Sequence, residues 1–147
     1  MRNFLAEAPE RSGLAKRVDS GMNRFWVRVV WLVGLGTVLV GTLDPAMAPP
    51  SFFSGFDKVM HGAAFAALAA IVPLAATRTA SRGILFAGLL FVGAAIEVIQ
   101  SFIPARSASF LDFSADALGV VLGALVGLWF YQRLAGYFSA GATGAGR

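Results

Sequence analysis

Four stretches of the chain are almost unbroken in apolar and small residues, and each is bounded by charges, prolines or polar turns: Trp26–Leu43, Met60–Ala76, Ile84–Ile103 and Ser114–Tyr131. A helix crossing the hydrocarbon core of a bilayer needs about 20 such residues. The pattern therefore predicts an all-α, multi-pass membrane protein, a bundle of four transmembrane helices; the second run is the shortest. Segment 1–25 reads as an N-terminal tail, flexible or forming a short helix on the membrane surface, and 26–131 as the four-helix domain. The segment 132–147, with its Gly/Ala-rich SAGATGAGR, reads as a flexible C-terminal tail. No repeat or second domain is evident.

The loops follow from their punctuation. Pro45, Pro49 and Pro50 predict an extended first loop, Asp44 to Phe56, that turns into the second helix. The short third loop, Pro104 to Phe113, predicts that helices three and four are antiparallel neighbours. Pro73 interrupts the end of the second helix, where it frees a backbone carbonyl and predicts a kink. The first run is preceded by basic residues and followed by Ala46-Met47-Ala48, which has the look of a signal cleavage site. Its length, and Pro49 directly after the cut, favour a retained span.

Composition sharpens this picture. Of the 147 residues, 57% are hydrophobic and 14% charged, against about a quarter charged in soluble domains. Cysteine is absent, which removes disulfides and thiolate metal sites. The net charge of +4 does not indicate nucleic acid, because the basic residues flank the membrane runs. Six of them (Arg2, Arg11, Lys16, Arg17, Arg24, Arg28) precede or open the first run; Arg78 and Arg82 lie in the second loop, and Arg133 and Arg147 follow the last run. Lys58 alone lies between the first and second runs and Arg106 alone between the third and fourth. The positive-inside rule then predicts both termini in the cytoplasm and loops one and three outside.

With that topology the unusual polar residues gather on one side. Asp57, Lys58 and His61 open the second helix, Glu97 and Gln100 lie near the outer end of the third, Arg106 is in the third loop, and Asp112 and Asp116 are at the start of the fourth. Asp57/His61 and Asp112/Asp116 are four apart and Glu97/Gln100 three apart, so each pair shares a helix face. Glu97, six residues before Ile103, is the costly one: an ionised acid at the centre of a membrane helix costs about 2.5–3.5 kcal/mol, less toward an end. It calls for a partner, and Lys58, His61, Arg106 and Gln100 are the candidates. Below the two acids of the fourth run, Gly119, Gly123 and Gly127 continue the same stripe, a surface on which helix backbones approach closely, within the bundle or in a homo-oligomer.

The order Asp57-Lys58-x-x-His61, Glu97-x-x-Gln100, Arg106, then Asp112 with Gly119 and Gly123, resembles that of the VanZ-like family of bacterial membrane proteins, over roughly residues 26–131. One departure is Asp116, where the family pattern often has asparagine. The family's namesake is associated with low-level resistance to teicoplanin, a glycopeptide that binds cell-wall precursors outside the membrane. The resemblance thus implies an envelope role at the outer face and a link to glycopeptide tolerance; it implies no reaction.

Three functional readings stay open on these residues. The cluster is a salt-bridged network that fastens the bundle or a subunit of a larger membrane complex. Or it recognises an anionic lipid-linked or cell-wall-precursor headgroup, or a partner protein, with Lys58, His61 and Arg106 as its cations. Or it is an enzyme site on a lipid-linked substrate, with Glu97 or Asp116 as general base and His61 as acid. Ser107, Ser109 and Ser114 read as loop and cap serines rather than nucleophiles. Metal ligation by His61 and the carboxylates is not marked by ligand spacing, so no metal or cofactor is assigned. Transport is disfavoured, since the inner halves of the runs carry no polar path.

Overall fold

A computed structural model gives the architecture, described for residues 9–47, 52–104 and 108–144, with side chains for 23–47, 52–104 and 108–134. Four helices carry it: α1 (Pro9–Leu43), α2 (Phe56–Ala75), α3 (Thr79–Gln100) and α4 (Phe110–Gly144), with a short 3-10 turn at Pro45–Met47. Each contains a segment long and apolar enough to cross a membrane: Asn23–Leu43, Phe56–Ala75, Thr79–Gln100 and Phe110–Leu134. The protein is a multi-pass membrane protein, and no strand occurs among the described residues.

α2 is the centre of the bundle. Phe65, Leu68, Ala69 and Val72 of α2 form the core with Leu89 and Ile96 of α3 and Val120 of α4, and Trp31, Leu35, Val38 and Leu39 of α1 pack against it. Outside this core the large apolar side chains face outward; Phe91 and Ile84 are each about three-quarters exposed, as expected where lipid is the solvent.

The tightest seam joins α2 to α4, with both helices running the same way. A Cβ placed on Gly119, Gly123 or Gly127 would collide with the backbone of Gly62, Ala66 or Ala70 respectively. The glycine stripe of α4 therefore meets a complementary small-residue stripe of α2, and glycine is required because the opposing atoms are main chain. α3 also touches α4, as the short loop between them predicts, but the seam with α2 is the more extensive.

Several boundaries differ from those suggested by hydropathy. α3 ends at Gln100 rather than Ile103: Phe102 N–H turns back to the carbonyl of Ile99 and Ile103 N–H to that of Gln100, just before Pro104. Phe102 and Ile103 are apolar residues of a turn. Glu97 consequently lies three residues, about 4.5 Å, from the helix end, half the depth expected. α2 begins four residues earlier than its apolar run, after Gly55, whose φ of 84° is in the left-handed region that glycine tolerates.

The start of the first loop is a turn rather than an extended segment, with the Ala46 N–H donating to the Asp44 carboxylate at 2.9 Å. Both outer helices continue past the apolar runs, α1 backward to Pro9 and α4 onward to Gly144. Segment 132–144, which composition reads as a flexible tail, is helical; its start, QRLAGYF, is compatible with helix despite the glycine. α2 continues through Pro73, which sits in its last turn, and ends at Ala75.

That end of α2 is closed by two arginines. Arg82 donates from Nε to the carbonyl of Ala76 at 2.8 Å and from Nη2 to that of Pro73 at 3.4 Å, while Arg28 Nε donates to the carbonyl of Ala75 at 3.1 Å. These are carbonyls of the kind that a helix C-terminus leaves unpaired. Arg82 also lies 4.3 Å from the centre of the Tyr131 ring.

Candidate functional site

At the other end of the bundle, α2 and α4 bring their charged first turns together above the small-residue seam. Two rungs cross between the helices. Lys58 Nζ bridges Asp112 Oδ1 at 2.8 Å and Asp57 Oδ2 at 2.9 Å, and His61 Nδ1 lies 3.1 Å from Asp116 Oδ1. With Asp116 ionised, the carboxylate only accepts and the imidazole donates from Nδ1. The i, i+3 pair Lys58/His61 thus faces the i, i+4 pair Asp112/Asp116, one ladder of polar contacts continuing downward as the glycine contacts.

α3 adds the third side. Glu97 Oε2 accepts the Ser109 N–H at 2.7 Å, which fixes the chain just before α4 and sets the carboxylate at that helix's N-terminus, where the dipole favours negative charge. Gly93, one turn below Glu97, makes room for Asp116: a Cβ at Gly93 would stand 3.1 Å from Asp116 Oδ2. Asp116 is fully buried and Glu97 is 8% exposed.

Of the residues singled out from the sequence, the structure brings Lys58, His61, Glu97, Asp112 and Asp116 into one cluster. Asp57 stands at its rim, its side chain 59% exposed. Gln100 serves elsewhere: its Nε2 donates to the carbonyl of Thr42 at 2.9 Å and ties α3 to the end of α1, so it is not the donor to Glu97. Arg106 lies outside the described residues. Gly93 and the backbone of Ser109 belong to the site without having been indicated. Gly93 was within reach of the spacing argument, being four residues before Glu97 on the same face; a backbone donor leaves no mark in a sequence.

The cluster is richer in acid than its own contacts require. Among the described residues, four carboxylates face one lysine and one histidine, and two buried oxygens, Glu97 Oε1 and Asp116 Oδ2, have no hydrogen-bond partner. Buried polar atoms are ordinarily paired, and each exception costs about 1–3 kcal/mol.

Two largely apolar clefts open beside these residues. One, of about 240 Å³, lies between α1 and α2 and is lined by Val38, Thr42, Met60 and Phe65 with Asp57 and His61. The other, of about 410 Å³, lies between α3 and α4 and is lined by Val98, Phe102, Phe110 and Phe113 with Glu97 and Ser109. Each is thus apolar along its walls and charged where it meets the cluster.

Neither a curated protein nor a solved structure matches the chain. The family model described as VanZ/LLP1 does, over residues 15–131. That stretch takes in the core, the α2–α4 seam and every member of the polar cluster, and so the chain belongs to the VanZ/LLP1 family.

Proposed function

We propose that the protein recognises the polar headgroup of a lipid-linked envelope component at the outer face of the bacterial cytoplasmic membrane, with both termini in the cytoplasm. The observation that carries this reading is the placement of the charged cluster where two apolar, outward-opening clefts meet it. An amphipathic ligand fits that arrangement, its chain along a cleft and its head at the charges. Lys58, one-third exposed at the rim, and Arg106 of the adjacent loop supply cations for a phosphate, and the surplus carboxylates accept from sugar hydroxyls or amines. Sequestering or presenting a cell-wall precursor in this way connects to glycopeptide tolerance, the role associated with the family's namesake.

The test is thermal melting of the detergent-purified protein with a polyprenyl diphosphate carrying a saccharide, with polyprenyl phosphate and with uncharged polyprenol. The saccharide-bearing lipid should raise the melting temperature most, and Lys58→Ala should remove the increment over polyprenol. Equal shifts from all three lipids reject headgroup recognition. Teicoplanin susceptibility of cells with and without the gene reports the connection to glycopeptides separately.

A second reading is favoured by the two unpaired oxygens beside His61. Carboxylates with free lone pairs next to an imidazole are the equipment of general acid–base chemistry, which makes an enzyme acting on the same class of lipid the alternative. Turnover of the saccharide-bearing lipid, lost in Glu97→Gln, separates catalysis from binding. A purely structural network, the third reading, draws support from the contacts that cross between helices; it predicts that the same variants melt early.

A further inference from the structure

The half-buried His61 and the buried Glu97 and Asp116 come from three different helices, and each offers one ligand atom such that all three atoms lie within 4.8 Å of one another. From this geometry we infer that they form a binding site for a single divalent transition-metal ion of the Zn²⁺ or Mn²⁺ class. Ligand atoms around one such ion, at about 2.0–2.2 Å from it, are separated by roughly 3–3.6 Å, so small side-chain rotations close the set.

The independent observation is the pair of oxygens left over. Glu97 uses Oε2 on the Ser109 N–H and Asp116 uses Oδ1 on His61, and both keep a second oxygen, buried and unpaired. A cation supplies what both oxygens lack. The charge balances as well: two carboxylates and a neutral imidazole cancel a divalent ion, which suits a site screened from water.

The surroundings hold the ligands in place. The backbone N–H of Ser109 orients Glu97, and the absence of a side chain at Gly93 leaves Asp116 its position against α3. His61, the least buried of the three, lines the 240 Å³ cleft between α1 and α2, which gives an ion a way in, with Asp57 at the same cleft. One nitrogen and two carboxylates suit Zn²⁺ or Mn²⁺ better than a thiophilic ion, and three protein ligands leave at least one position for water or for a phosphate or hydroxyl oxygen. The inference does not depend on lipid recognition, because the ion is measured with no lipid present.

The test uses full-length protein purified in detergent through a tag without histidine and stripped with a chelator. Zn²⁺ and Mn²⁺ are titrated in competition with a chromophoric chelator, and thermal melting is followed alongside. One equivalent should bind and raise the melting temperature; Glu97→Gln and His61→Gln should each weaken binding by more than about tenfold, the loss typical even of groups that merely support a ligand. Asp116→Asn should do the same. Should that variant fail to fold, the wild-type titration and Glu97→Gln, which keeps an acceptor for Ser109, decide the matter. Wild-type protein that binds neither ion more tightly than the Glu97→Gln/His61→Gln double variant, or whose melting neither metal nor chelator moves, overturns the inference.

Discussion

The two ends of the bundle both carry charge, and they spend it differently. Where α2 finishes, Arg28 and Arg82 reach in from α1 and α3, and each donates to main-chain carbonyls of the last turn of α2. Every one of those contacts serves the fold. Where α2 begins, four acids gather around Lys58 and His61, and two of their buried oxygens find no donor among the described residues. All four acids of the sequence beyond Asp44 are in this place. Charge in excess of what packing needs is the difference between the two ends, and it is the feature on which the proposed function rests.

The contrast can be broken or sharpened by mutation. The largest effect belongs to the seam that both ends depend on. Gly123→Val forces a side chain into the Ala66 backbone, and the expected result is loss of the folded protein from detergent extracts, whereas Gly123→Ala costs about 1–3 kcal/mol. Melting that is unchanged in both would mean that α2 and α4 do not meet as described. Next is Arg82→Ala, which removes charged donors from the carbonyls of Pro73 and Ala76 and should destabilise by about 1.5–3 kcal/mol in chemical or thermal unfolding. A neutral outcome would erase the distinction between the ends. The smallest effect on stability is expected from Glu97→Gln. The amide keeps an acceptor for the Ser109 N–H and removes a buried negative charge, so the stripped protein should melt at or above the wild-type temperature, by no more than about 1 kcal/mol of added stability. Early melting of this variant would instead assign the polar end to the same structural work as the arginines.

Much of this was legible in the sequence, because the bilayer imposes a simple code. Four apolar runs became four helices, and the i, i+4 spacing of Asp112/Asp116 put both acids on the face that meets α2, although the side chains they meet are Lys58 and His61 rather than the Asp57/His61 pair read from the sequence. The boundaries slipped where apolar residues do non-helical work, as at Phe102 and Ile103, and where charged residues sit inside a helix, as at Asp57 and Lys58. The partner of Gln100 was not legible because it is the carbonyl of Thr42, and backbone acceptors have no residue type. Arg28 and Arg82 read as orientation signals for the same reason. The glycines of α4 announced a close contact but not its other half: Gly62, Ala66 and Ala70 lie in a run so rich in alanine that no single stripe stands out.

The parallel seam between α2 and α4 also has a consequence for biogenesis. The residues that complete it are made late: Asp116 follows His61 by 55 positions, with all of α3 between them. Until α4 has been made, the small-residue face of α2 lacks the glycines it packs against, and His61 has its cleft between α1 and α2 but not Asp116. The last helix to be made therefore both closes the tightest seam of the bundle and completes the polar cluster, so neither exists in a chain that stalls before α4.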